Sequence, residues 1–243
     1  MTLNPSDTLG GMKRSGLTDH DHPDVQQVLP PWNSVLAVVA HPDDESFGLG
    51  AILDQFVRAG ATVSVLCLTH GEASTLGGDA DLRQVRAAEL KQAADQLGIE
   101  SAMLLDYRDG LLSEVMHDIL TDEVLHEIRV RPVEGIVVFD PSGITGHPDH
   151  MAATEAAVSA ADTAGLPVLS WTLPMRVAET LNVEFDTRFV GHSDAEVDVV
   201  IEVDRDQQRS ACLCHASQAI PTSVLWRRLE LLGRHEHLRW LRR

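Results

Sequence analysis

Aromatic side chains are scarce. Phe, Trp and Tyr make up 4% of the 243 residues, with a single Tyr, so nucleobases or long oligosaccharides would find few stacking platforms. Cations are outnumbered too: 19 Lys and Arg stand against 37 Asp and Glu, a formal net charge of −18. A surface that tracks phosphates needs clustered Lys and Arg, so this balance argues against a nucleic-acid partner. No apolar run approaches the roughly 18 residues of a membrane-spanning helix, and the first residues carry no apolar signal-peptide core. The three cysteines, Cys67, Cys212 and Cys214, are odd in number, and Cys67 sits in an apolar strand-like run. They form no disulfide framework, and a reducing, cytoplasmic setting fits them.

What is present is alternation. Residues 1–32 are polar and rich in Asp, Gly, Pro and His, and read as a flexible extension; residues 33–243 read as one domain. Short β-branched runs predict strands at 34–40, 61–69, 102–107, 134–140, 167–173 and 197–203. Between and after them, helical spacing predicts helices at 48–60, 82–98, 113–130, 148–165, 205–217 and 221–241. Strands that alternate with helices imply an α/β fold, a Rossmann-like and mostly parallel sheet flanked by helices on both faces. In such sheets ligands bind beyond the carboxyl ends of the strands. That points to residues 41–45, 70–72, 106–110 and 141–150.

Two of these segments carry the same triplet. His41-Pro42-Asp43 opens "HPDDE" and His147-Pro148-Asp149 opens "HPDH". A third copy, His22-Pro23-Asp24, follows no apolar run and reads as surface. Each retained copy could be no more than a helix start, since Pro suits the first helical position and acids suit the first turn. Together they offer more. Asp44 lies three residues after His41, and His150 three after His147, so each pair shares a side of a first turn. His41, Asp44 and His150 make a three-ligand set that leaves an open position, as catalytic zinc requires. A divalent cation would also offset the three adjacent carboxylates Asp43, Asp44 and Glu45.

"AHPDDE", followed about a hundred residues later by "GHPDH", resembles the LmbE/PIG-L family of metal-dependent N-deacetylases. The resemblance implies removal of an acetyl group from a small N-acetylglucosamine-type amino sugar or its conjugate. It implies zinc on His41, Asp44 and His150, Asp43 as general base, and His147 as oxyanion stabiliser or proton donor. Residue chemistry agrees with these roles. Zinc acidifies water to a pKa of about 7, an adjacent carboxylate can deprotonate it, and an imidazole suits a charge forming on an acyl oxygen. Iron also accepts two His and one carboxylate. The remaining readings are an amidase of a larger amide and a metal-binding protein without catalysis. The partner implied is a small N-acetylated molecule, with a homo-oligomer possible because relatives often form dimers or hexamers.

Secondary signals follow the same strands. Glu72 in "THGEAS" faces the site or belongs to a polar loop, and Ser74 stands where relatives commonly carry Gly. Arg86 matches a family contact to sugar or phosphate, or pairs with Glu89 along its helix. Asp109 matches a family contact to sugar hydroxyls, or makes an Asp-Gly turn. His215 in "CLCHASQ" matches a late family element and enters the pocket rim or is structural; Gln208 replaces the Lys that commonly precedes it. Asp140 is a candidate to orient a ligand histidine. Loops 71–81, 107–113 and 174–196 are expected to set specificity. The segment "RHEHLRWLRR" reads as the end of an amphipathic helix with His235 and His237 exposed and Trp240 packing or marking an oligomer contact.

Overall fold

The computed structural model describes residues 25–76 and 81–243. Residues 1–24 of the expected extension and residues 77–80 of the loop after the second strand lie outside the described residues. Among the described residues seven strands form one sheet: β1 (Ser34–Val39), β2 (Thr62–Thr69), β3 (Ser101–Tyr107), β4 (Gly135–Phe139), β5 (Val168–Thr172), β6 (Val199–Glu202) and β7 (His235–Arg242), in the order β3-β2-β1-β4-β5-β7-β6. The helices are α1 (Asp44–Phe47), α2 (Gly50–Arg58), α3 (Leu82–Leu97), α4 (His117–Val130), α5 (Gly143–Gly146), α6 (Pro148–Ala164), α7 (Met175–Phe185), α8 (Asp206–Cys214) and α9 (Val224–Leu232). The expected α/β architecture is therefore the observed one.

The central strands are apolar throughout because helices cover both faces. In β1, Val35, Ala37 and Val39 point into a core shared with α2, α3 and α7. Leu36 and Val38 point the other way, into a core built with α4 and α6. Small residues let α6 lie close: Ala153, Ala156, Ala157, Ala160 and Ala161 recur at helical spacing and are all buried. Strands β1, β2, β3, β4 and β5 pair in parallel. β1 has β2 on one side and β4 on the other, so the chain winds outward from β1 in both directions. That reversal opens a crevice at the carboxyl ends of β1 and β4, which is where the two triplets lie.

Three sequence expectations need correction. Residues 221–241 are not one helix. α9 ends at Gly233, which adopts φ 57°, and the chain turns back as β7. β7 inserts between β5 and β6 and runs antiparallel to both. Helical propensity in "HEHLRWLR" loses to two open strand edges, whose backbone groups need partners in a buried sheet. His237 is consequently buried rather than exposed, and Trp240 packs edge-on against Trp32. Residues 174–196, expected to be loop, contain α7. Residues 25–32, assigned to the extension, are held to the body: Gln26 bridges Val199, and Trp32 stacks on Phe56 at 5.7 Å. No helix among the described residues is long and apolar enough to cross a membrane.

Candidate metal centre and active site

The two triplets fold differently. His147 caps α6: its Nδ1 accepts the Asp149 backbone N–H at 3.2 Å, and Pro148 occupies the first turn. "HPDH" is thus a helix start and also carries His150 toward the crevice. "HPDDE" leads only into the four-residue α1, and Asp43 before it adopts φ 115°. A non-glycine residue held there costs about 1–3 kcal/mol and persists only when its surroundings hold it.

The histidines and Asp44 converge. His41 Nδ1 lies 3.2 Å from His150 Nε2 and 3.6 Å from Asp44, and His150 Nε2 lies 3.2 Å from the other Asp44 oxygen. Donors bound at about 2.0–2.1 Å around a tetrahedral zinc sit about 3.3 Å from one another, so the spacing fits. The far side of each ring is also committed. His41 Nε2 faces Asp109 at 3.0 Å and Asp149 at 3.4 Å. His150 Nδ1 faces the Gly143 carbonyl at 3.2 Å. Those acceptors place the ring protons outward, which leaves two nitrogen lone pairs and a carboxylate pointing at one spot. Asp44 itself is oriented by the backbone N–H groups of Ala40 and His41, at 3.2 and 2.9 Å.

The electrostatics agree. Burial alone would raise Asp44, but His150 and His41 hold it well below the usual carboxylate range. Burial alone would lower His41, but Asp109, Asp149 and Asp44 hold it well above the usual imidazole value. Such a site favours positive charge. A second group, His41, His147 and Asp149, is close enough to share an ion. Part of its donor set is engaged elsewhere: Asp149 is fully buried and accepts the N–H groups of Gly110 and Leu112 at 2.7 and 3.0 Å, and His147 Nδ1 accepts the Asp149 N–H.

Asp43 stands beside the triplet. Its carboxylate accepts from Arg86 at 2.9 Å, and its backbone N–H donates to Glu45 at 2.9 Å. Burial pushes the Asp43 carboxyl up to about 6 against the pull of Arg86. His147 is shifted down, first by burial and then by His150 and His41, so its ring is neutral with the proton on Nε2.

A cavity of about 360 Å³ lies over this cluster, lined by His41, Asp43, Asp44, His147 and His150 together with Asp109, Arg86 and Gln218. That volume is within the range of small-molecule sites. A larger cavity of about 500 Å³, between residues 27–33 and α2, has Glu202 as its one ionisable lining residue and so offers little chemistry.

Other expected site residues fall elsewhere. Glu72 does not line the cavity; it accepts the Asp109 N–H at 3.2 Å. His215 does not reach the pocket rim. It is fully buried behind α1, with Nε2 2.7 Å from Glu45. Arg86 does not pair with Glu89: it lines the cavity, is 4% exposed and is bound to Asp43, and Glu89 instead accepts from Ser217. Asp140 does not orient a ligand histidine but binds His192 and Arg239. Gln208 ties α8 to α1 through the carbonyls of Ser46 and Phe47. No lining residue comes from 174–196. The sequence reading missed Asp149, Glu45 and Gln218. Asp149 and Glu45 lie inside the two motifs, and their acidity was the available signal. Gln218, the last residue of "CLCHASQ", lines the cavity and accepts from Ser74 Oγ at 2.7 Å, a contact across 144 residues that the sequence does not show.

Comparison with known proteins bears on this site. A family profile described as PIG-L, GlcNAc-PI de-N-acetylase, matches residues 36–161. The 1D-myo-inositol 2-acetamido-2-deoxy-alpha-D-glucopyranoside deacetylase of Streptomyces griseus is 32% identical, over 61% of this chain and 54% of its own length. The chain spans about half the length of the curated relatives it matches. Among solved structures, the zinc-inhibited form of teicoplanin deacetylase Orf2 aligns with a TM-score of 0.66 at 20% identity, covering 85% of this chain and 97% of that one. GalB, the 4-carboxy-2-hydroxymuconate hydratase of Pseudomonas putida KT2440, aligns with a TM-score of 0.63 at 18% identity, covering 86% and 96%. At these identities the structural likeness is one of fold, and a deacetylase and a hydratase share it.

Proposed function

The chain belongs to the PIG-L family, and from that premise we propose a metal-dependent hydrolase that removes the N-acetyl group from a small N-acetylglucosamine-type amino sugar or its conjugate. One observation carries the reading: Asp43, outside the ligand triplet, lines the same cavity as His41, Asp44 and His150. A site that merely held an ion would have no use for a second carboxylate outside the ligand set. When bound by that triplet, zinc or another divalent ion such as iron supplies Lewis acidity, polarising an acyl oxygen and making water acidic near neutral pH.

The chain's own residues do the rest. Arg86 occupies Asp43 Oδ2, which leaves Oδ1 to receive a proton from the attacking water. A positioned base of this kind contributes about 10²–10⁴-fold. His147 presents Nε2–H, because Nδ1 is filled by the Asp149 N–H. It therefore acts as a hydrogen-bond donor to the acyl oxygen as negative charge grows there, a contribution of about 2.7–4 kcal/mol in other oxyanion sites. The C–N bond then breaks, and the proton taken by Asp43 is the one the departing amine needs. Acetate and a free amino sugar result.

The test is acetate release from N-acetylglucosamine, diacetylchitobiose and N-acetylglucosaminyl-inositol by zinc-loaded protein, beside Asp43→Ala with its metal content measured. Release by the wild type that vanishes in a variant still holding metal supports the reading. Silence on all three with metal bound turns to a larger amide or to hydration chemistry. Silence without metal overturns the ligand set.

A further inference from the structure

Asp43 is held from two sides, by Arg86, 43 residues on, and by its near neighbour Glu45, which is itself fixed by the distant His215. We propose that Arg86 and the buried Glu45–His215 pair form a clamp that holds Asp43 in its strained backbone conformation, with Arg86 a positioning residue for the base. The inference rests on the reading of Asp43 as the base.

The Arg86 side is geometric. Its guanidinium is 4% exposed, and both terminal nitrogens are engaged. One donates to the Gly71 carbonyl at 2.5 Å; the other donates to Asp43 Oδ2 at 2.9 Å and to the Pro42 carbonyl. A single planar fork thus holds a carboxylate and the backbone just before it, which the point charge of a lysine cannot reproduce. The chain makes room for that fork. Gly71 adopts φ 64°, and a Cβ there would lie 1.9 Å from Arg86 Nη1.

The opposite side holds the Asp43 backbone. Its N–H donates to Glu45 Oε2 at 2.9 Å. Glu45 is fully buried, and its other oxygen lies 2.7 Å from His215 Nε2 at the end of α8 and accepts from Ser46 Oγ. The Glu45 carboxylate therefore cannot swing away from Asp43. A residue at φ 115° relaxes when it is free to do so. Here the loop after β2, α3 and α8 each supply a restraint against that relaxation.

The experiment compares Arg86→Gln, Arg86→Lys and Gly71→Ala with wild type on whichever substrate releases acetate, recording kcat, KM, bound metal, thermal unfolding and a crystal structure of each. Asp43→Asn is run in parallel. The clamp requires kcat to fall on the order of 10²-fold in Arg86→Gln and Gly71→Ala, the scale of a displaced general base, with KM and metal content held within about threefold. Arg86→Lys should recover about a tenth of the lost activity, and Asp43 should leave its positive φ in Arg86→Gln. A rise in KM with kcat retained makes Arg86 a substrate contact and overturns the proposal. So does an Asp43 that keeps φ and position without the guanidinium. If Arg86→Gln does not fold, the split in Arg86→Lys and Gly71→Ala decides. An active Asp43→Asn defeats the base reading itself, whereas an inactive Asp43→Asn beside a fully active Arg86→Gln defeats only the clamp.

Discussion

His41 Nδ1 and His150 Nε2 face each other at 3.2 Å, although 109 residues separate them in the chain. Two imidazole nitrogens whose rings both donate outward repel unless a proton or a cation lies between them. The sheet brings them together because β1 and β4 are neighbours at the point where strand order reverses. Asp44 completes the triangle, and the consequences can be measured.

Replacing His41, Asp44 or His150 by Ala should each abolish stoichiometric zinc, while His147→Ala keeps it; metal analysis after dialysis checks this. His41 holds its proton above the usual imidazole value because, although burial lowers it, Asp109, Asp149 and Asp44 raise it more. Metal must displace that proton, so affinity should weaken steadily as pH falls. Competition with a chromophoric chelator at stepped pH reads the trend. Zinc retained by all three variants would sink the ligand set.

Asp43 must be ionised to act as a base, and burial raises it to about 6. Activity should decline below that pH at about tenfold per unit. Arg86 opposes the shift, so Arg86→Gln should move the acid limb to higher pH. The pH profile of kcat/KM in both proteins is the measurement. An acid limb that does not move would mean another group controls it.

Asp109 approaches His41 Nε2 at 3.0 Å and accepts the Ala73 N–H at 2.8 Å. Asp109→Asn keeps the shape and removes the charge behind a ligand imidazole. Metal affinity should drop about 10–100-fold with the fold intact. If Asp109 serves only sugar hydroxyls, KM rises and zinc affinity stays as in wild type.

Glu236 on β7 is fully buried between Arg205 and the Trp171 indole N–H, which it accepts at 2.8 Å. Glu236→Ala removes the carboxylate from a buried guanidinium whose other partners, Gln208 and the Gly233 and His235 carbonyls, are neutral. The loss should be about 3–5 kcal/mol, or a melting temperature lower by roughly 6–20 °C. Calorimetry decides, and a change of a degree or less would show that β7 is not anchored by this pair.

The sheet was legible where strand and helix alternate because a strand buried on both faces reads as a continuous apolar run whatever its neighbours are. The terminal segment was not. "HEHLRWLR" becomes a strand only because β5 and β6 each present an edge to it, and that fact lies elsewhere in the chain. The same division runs through the site. His41, Asp43, Asp44, His147 and His150 stand in two short motifs, and spacing along a first helical turn is enough to nominate them. The duties of Arg86, Asp109 and His215 could not be read that way.

By itself the amino-acid sequence determined the layer architecture, the crevice at the carboxyl ends of β1 and β4, and the residue types available there. Those follow from local periodicity and chain direction, which are properties of consecutive residues. Only the tertiary structure decided which nitrogen of each histidine is free, that Arg86 is spent on Asp43, and that His215 lies behind the site and not in it. Protonation and hydrogen bonding depend on what surrounds a group in space. Those surroundings come from helices and loops that meet only when the sheet has formed.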